Sequence, residues 1–429
     1  MNISIVTTFL CLLLHVLFMQ KVEAIEGHSF ETKTLIVSSD LQMSHSPFNN
    51  IQRVVESNNL LGIRLYHGLK NHESNFVFSP FGIFIVLESL LDSSRGKTNE
   101  EISQMLSVPL DRDSWRSSVF ILYDSLLHGN PGAPFDIYFP NSLWIQKGEA
   151  PTTLFKVAFK EKGDLHQVDF KNDWESLPKE VNEWMAKATD NQFTDLIHRK
   201  DIGRSTKMLI CNSFNFNSWW NNFFNTDKTH QGTFTLDSGR VVRAEMMEVQ
   251  ARLRGSWQKE LSLVELPYNG AVGSERLAFL LLLPNKHEGI EALEKHISPT
   301  NLKKWVKSLI TQKILIRMPR FSIKTRLPLK KNLREMGIES AFGNQADFSG
   351  INGEKGLKLD EIYHVSSLIC NEWGSKLVEG KHEKGQGFRG IMSSSNPREF
   401  VVDHPFIFLV YDKLADSILM MGRMTNPLH

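Results

Sequence analysis

Between Leu277 and Leu283 the chain reads Leu-Ala-Phe-Leu-Leu-Leu-Leu, with no polar side chain for either face of an extended strand. Such a strand belongs inside a sheet that is covered on both sides. Other strand-like segments crowd the same half of the chain: KMLICNSFNF, RVVRAEMMEV, SLVELPY, KILIRMPRFSI, IYHVSSLI and VVDHPFIFLVYD, all after Lys207. The cover comes from the first half. In NIQRVVESNNLLGIRLYHGL, residues Ile51, Val54, Val55, Leu61, Leu65 and Leu69 recur at helical spacing. SPFGIFIVLESLLDSSRG offers Ser79 as N-cap and Pro80 in the first turn, and is apolar nearly all round to Leu91, as in a buried helix. Amphipathic segments follow at Asn99–Leu106, Ser114–Leu127 and Pro178–Ala188. No Gly/Pro/Ser-rich linker and no repeat divides these segments. The expectation is one α+β domain over residues 50–429.

One stretch does not fit a compact sheet protein. CNEWGSKLVEGKHEKGQGFRGIMSSSNPREF, Cys370 to Phe400, is charged, Gly-rich and lies between two strand-like segments. Connections beyond about 12–15 residues are uncommon and are usually functional or disordered.

The N-terminus carries an apolar run from Ile3 to Met19, then Val22-Glu23-Ala24 with small residues where a signal peptidase reads. Residues 1–24 read as a secretory signal, although its start lacks Lys or Arg. The run is shorter than the ~20 residues of a membrane span. Residues 25–49 are polar and aperiodic and read as a flexible arm. A secreted, extracellular protein is therefore expected. The net charge of +1 points to no nucleic-acid or strongly acidic partner. The short basic groups at 198–200, 302–307 and 327–331 read as solvated helix faces and loops. Beyond the leader only Cys211 and Cys370 remain, so no disulfide framework exists. The single N-glycosylation sequon, at Asn2, falls inside the leader.

Catalytic patterns are missing. There is no G-x-S-x-G, H-E-x-x-H, P-loop or G-x-G-x-x-G segment. Asp237-Ser238-Gly239 reads as a turn. His287-Glu288 and His382-Glu383 lack a second His at helical spacing, so no zinc hydrolase, metal site or cofactor is expected, and the chain does not read as an enzyme.

The order of several motifs resembles one family. NFVFSPFGIFIVLESLLDSSRGKTNEEI (75–102), CNSFNFNSWW (211–220), MPRFSIKTRLPLKKNLREMGIESAFGNQADFSGI (318–351), YHVSSLICNEWGS (363–375) and FVVDHPFIFLVYDKLADSILMMGRMTNP (400–427) are similar, in sequence order, to serpin signatures. The resemblance runs from about Asn50 to Pro427. It implies the serpin fold, with three β-sheets, about nine helices and an exposed reactive-centre loop, here about 373–399. It also implies the family's suicide mechanism. A serine protease cleaves the loop and is held as an acyl-enzyme, while the loop's N-terminal half enters the main sheet as a new strand.

Carried over residue by residue, the resemblance places Ser79, Asn212 and His364 in the shutter beneath the point where the sheet opens. Trp220, Arg320 and Glu372 fall in the breach where the loop first enters. Glu372, Gly374, Ser375, Lys376, Glu379 and Lys381 form the hinge, and Phe388 and Arg389 are the bait. The second shutter serine of the family is Gly82 here. The hinge departs further: family inhibitors continue with small residues, whereas this chain has KLVEGKHEKGQG.

Inserted as a strand, alternate side chains turn into the core. The register that buries Ser375 also buries Leu377, Glu379, Lys381 and Glu383; the other buries Lys376, Val378, Gly380, His382 and Lys384. Each buried ion costs several kcal/mol, so two or three cost about 10 kcal/mol. Two readings follow. One is a non-inhibitory, monomeric serpin-like binder, carrier or decoy for an extracellular protein or ligand. The other is an inhibitor of a trypsin-like serine protease with Arg389 as bait.

Overall fold

The apolar run lies where its composition requires. In the computed structural model it is a strand, Leu277–Pro284, buried at every residue and paired on both edges. The structure describes residues 47–70, 75–127, 135–269, 275–287, 289–376 and 396–428. The expected leader, and the expected arm up to residue 46, lie outside them.

Ten α-helices are present among the described residues. The first, α1 (Pro47–Leu69), takes in the last three residues of the expected arm. Next come α2 (Pro80–Ser93), α3 (Gly96–Met105), α4 (Arg112–Leu127), α5 (Thr153–Lys160) and α6 (Leu177–Ala188). The last four are α7 (Ile290–His296), α8 (Pro299–Lys307), α9 (Lys330–Glu335) and α10 (Ser349–Asn352). Capping sets several of the starts. Ser79 Oγ accepts the Gly82 N–H at 2.9 Å, with Pro80 at the first position of α2. Ser298 caps α8 in the same way, and α8 buries Leu302 and Trp305 while its lysines face water. The basic group at 302–307 is thus a solvated helix face, as expected.

Among the described residues sixteen strands build two hydrogen-bonded ladders. They are β1 (Phe76–Phe78), β2 (Phe135–Tyr138), β3 (Asn141–Gln146), β4 (Asp164–Val168), β5 (Met208–Trp219), β6 (His230–Thr235), β7 (Val241–Trp257) and β8 (Leu261–Pro267). β9 (Leu277–Pro284), β10 (Ile310–Pro319), β11 (Phe321–Pro328), β12 (Glu361–Cys370), β13 (Gly374–Lys376), β14 (Arg398–Val401), β15 (Phe406–Asp412) and β16 (Ser417–Met424) follow. One ladder runs β1-β16-β15-β9-β8-β7-β10-β14, with β6 on β7; the other runs β11-β12-β13-β5-β3-β4, with β2 on β5.

Two of the three expected sheets share an unbroken ladder because β7 is 17 residues long. Its first part pairs with β6 and its last with β8, while β10 runs beside most of its length. The α+β architecture agrees with expectation. The short strands β1 to β4 went unread in the first half of the chain, since three to six residues carry little periodicity.

Candidate functional site

The second ladder contains a wedge. β5 and β12 run parallel and bond directly from Leu209–Glu361 up to Phe214–Ser366. Above that point they separate, and β13 fills the space, antiparallel to both. Gly374 pairs with Trp219, Ser375 with Ser218 and Cys370, and Lys376 with Ile369. Gly374 is obligatory here, because a Cβ at that position would sit 2.0 Å from the Ser218 carbonyl oxygen. Three of the hinge residues therefore already stand as a strand inside the sheet.

Just below the wedge, Ser79, Asn212 and His364 meet. His364 and Asn212 are opposite each other on β12 and β5. The Ser79 backbone N–H donates to His364 Nε2 at 3.0 Å, and the Ser366 hydroxyl lies 2.9 Å from the same nitrogen. A backbone N–H can only donate, so Nε2 accepts and Nδ1 carries the proton, which it gives to Asn212 Oδ1. Asn212 Nδ2 donates to Asn141 Oδ1, and Asn141 Nδ2 to the Lys162 carbonyl at 2.9 Å. Ser79 Oγ donates to the Leu419 carbonyl at 2.6 Å.

Every member of this buried chain has a partner, and satisfied networks of that kind fix one arrangement. His364 is fully buried, and burial pushes its pKa down to about 3. It is held neutral. Gly82 lies close against this cluster: a Cβ there would sit 3.2 Å from Asn212 Oδ1, tighter than ordinary contact, and 3.4 Å from Ser79 Oγ. Asn141 and Ser366 were not anticipated. Asn141 lies outside the matched motifs and comes in by strand pairing, whereas Ser366 is two residues from His364 on β12 and so shares its face.

At the top of the wedge, Trp220 is buried, and its Nε1–H donates to the Asn371 carbonyl at 2.8 Å. Its ring stacks on Tyr268 at 4.7 Å, and the Tyr268 hydroxyl donates to Ser375 Oγ at 2.6 Å. Ser375 is fully buried, so the side chains of β13 alternate with Ser375 pointing inward. Glu372, also buried, accepts from Thr229 Oγ1 at 2.7 Å and pairs with Arg320 Nε at 3.3 Å. Arg320 turns its other side to Glu245 at 3.0 Å. The breach trio is thus split between an aromatic floor under Ser375 and an ion pair beside it, with Tyr268 and Thr229 as unforeseen members. Glu379, Lys381, Phe388 and Arg389 lie outside the described residues.

Cys211 and Cys370 are both free and buried. Burial pushes both thiols up, Cys211 to about 12.

Comparison with known proteins agrees with this architecture. The family model described as serpin (serine protease inhibitor) matches residues 56–427. A serpin-like protein of Thermococcus kodakarensis is 30% identical over 377 residues, covering 87% of this chain and 86% of its own. The mouse serine protease inhibitor A3B is 31% identical over 372 residues, 84% of each chain. Among solved structures, human thyroxine-binding globulin complexed with thyroxine superposes with a TM-score of 0.77 at 24% identity, over 88% of this chain and 99% of that one. This chain belongs to the serpin family.

Proposed function

We propose that this protein is a secreted serpin that does not trap proteases by full loop insertion, and that it works by binding, as a carrier or decoy in the extracellular space. The observation that carries the reading is the register of β13. Ser375 faces the core against Tyr268. Each residue added to β13 moves one step back along both β5 and β12. Continued in that register, Glu379 falls opposite Phe214 and Ser366, and Lys381 falls between Asn212 and His364, both facing inward.

Insertion to that depth must break the His364–Asn212 hydrogen bond. It must also place an ammonium beside a histidine that is held neutral by burial. A buried charge without a partner costs several kcal/mol, and Glu379 adds a second. The gain from new strand pairing works against a penalty of about 10 kcal/mol. Insertion is therefore expected to stop near the three residues already in place.

A specific observation favours the inhibitor reading as the second choice. The slot between β5 and β12 already accepts a strand bonded on both edges. In that reading Arg389 is presented to a trypsin-like protease, whose acidic specificity pocket suits a guanidinium. Incubation with trypsin-like and chymotrypsin-like proteases, followed by denaturing electrophoresis, separates the two. The first reading expects loop cleavage near Lys381, Lys384 or Arg389 and release of active protease. A covalent complex formed at near one-to-one stoichiometry overturns it.

A further inference from the structure

His287 and the adjacent pair Asp403-His404, more than a hundred positions further on, converge just past the end of β9: each of the three offers one ligand atom, and these atoms all lie within 4.8 Å of one another. His404 is buried, and its Nε2 lies 2.7 Å from the Pro284 carbonyl oxygen. A carbonyl only accepts, so Nε2 carries a hydrogen. The other nitrogen, Nδ1, stands 2.7 Å from Asp403 Oδ1. A carboxylate and a bare ring nitrogen both present lone pairs, so that contact requires a cation between or beside them, either a proton or a metal ion. The ring of His287 leans over His404 with centroids 4.5 Å apart, on an exposed turn that leaves the group open to water.

We propose that His287, Asp403 and His404 form a binding site for a divalent transition-metal ion of the zinc class, with water completing the coordination. Two imidazoles and one carboxylate suit such an ion. A ligating histidine normally donates its second ring N–H to a carbonyl or carboxylate, as His404 does to Pro284. Tetrahedral bonds of about 2.0–2.1 Å place ligand atoms roughly 3.3 Å apart. Closure needs the exposed His287 ring to swing in and the Asp403–His404 contact to widen slightly.

The site also has a structural consequence. Asp403 and His404 lie just past β14, which among the described residues pairs with β10 alone. Beyond β14 the chain is held by Val402 N–H on the Arg317 carbonyl and by the Asp403 carbonyl on Thr235 N–H. A metal at this point ties the exit of β14 to the turn after β9, and a ligand that binds only the folded state raises its stability.

The test uses the full mature chain, stripped with a chelator and titrated with Zn²⁺, then with Co²⁺ as an optical probe. The expected result is one equivalent bound, a tetrahedral Co²⁺ absorption band and a higher melting temperature with metal. His287→Ala, on the exposed turn, is expected to fold normally and to bind at least about tenfold more weakly. His296→Ala, an exposed histidine nearby on α7, is expected to bind as the parent does. Absence of binding, or equal binding by the parent and His287→Ala, overturns the site; the His404–Asp403 contact then holds a proton alone.

Discussion

His364 and Asn212 stand opposite each other on neighbouring parallel strands and share the hydrogen bond that closes β12 onto β5 below the wedge. A β13 lengthened as far as Lys381 must pass between them. That relationship makes the loop chemistry testable by stability alone. Cleavage of the loop within residues 381–389 is expected to leave the melting temperature nearly unchanged, because insertion would bury Glu379 and Lys381. Replacing residues 376–384 by small apolar residues is expected to restore a rise on cleavage. Differential scanning calorimetry of intact and cleaved forms reads both. A large rise for the unmodified cleaved protein would show that the sheet accepts this loop.

The same histidine sets an acid limit. Its folded pKa is pushed down to about 3 by burial, below the ordinary value of 6.5. As pH falls below 6.5 the unfolded chain takes up a proton that the native site refuses. This contribution is therefore present in full above 6.5 and is lost progressively towards pH 3, by at most about 1.4 kcal/mol per pH unit. Urea midpoints of the parent and His364→Gln between pH 7 and 4 check it. The variant is expected to be less stable at pH 7 and to lose less on acidification.

Glu88 has the opposite sign. It lies inside α2, buried, with Trp115 Nε1–H donating to its Oε1 at 2.7 Å. Burial raises its pKa from 4.5 to about 7. Its contribution is complete below pH 4.5 and is lost as pH rises through 7, because the folded state then has to ionise a desolvated carboxyl. Glu88→Gln keeps an acceptor for Trp115 and removes the charge. It is expected to stabilise the protein by about 1–3 kcal/mol above pH 7 and to be neutral near pH 4. Equal midpoints at pH 8 would refute the assignment.

Both thiols are buried and raised, so thiolate, the reactive form, is scarce. With residues 1–24 removed, the native protein is expected to react slowly with a disulfide reagent. The denatured, unreduced protein is expected to yield two thiols at once. A yield of none would mean that Cys211 and Cys370 are joined.

Much of the architecture was legible from residue order. Ser79 capping α2 and the doubly buried β9 both follow from local pattern. Patterns of that kind are carried by neighbouring residues, and a short stretch contains the whole signal.

What the sequence by itself determined was the α+β class, the family, the core strands and the charged hinge. Tertiary structure alone decided the rest, because pairing between strands distant in the chain sets which side chains share a face. It selected the register that turns Ser375 towards Tyr268, which local alternation had left open. It enrolled Asn141 beside Asn212 and set Thr229 on Glu372. It brought His287 beside Asp403 and His404, where the spacing of histidines along the chain had suggested no metal site. A hydrogen bond or a ligand set is a matter of a few ångströms in space, and residues more than a hundred positions apart reach that distance only once the sheets have formed.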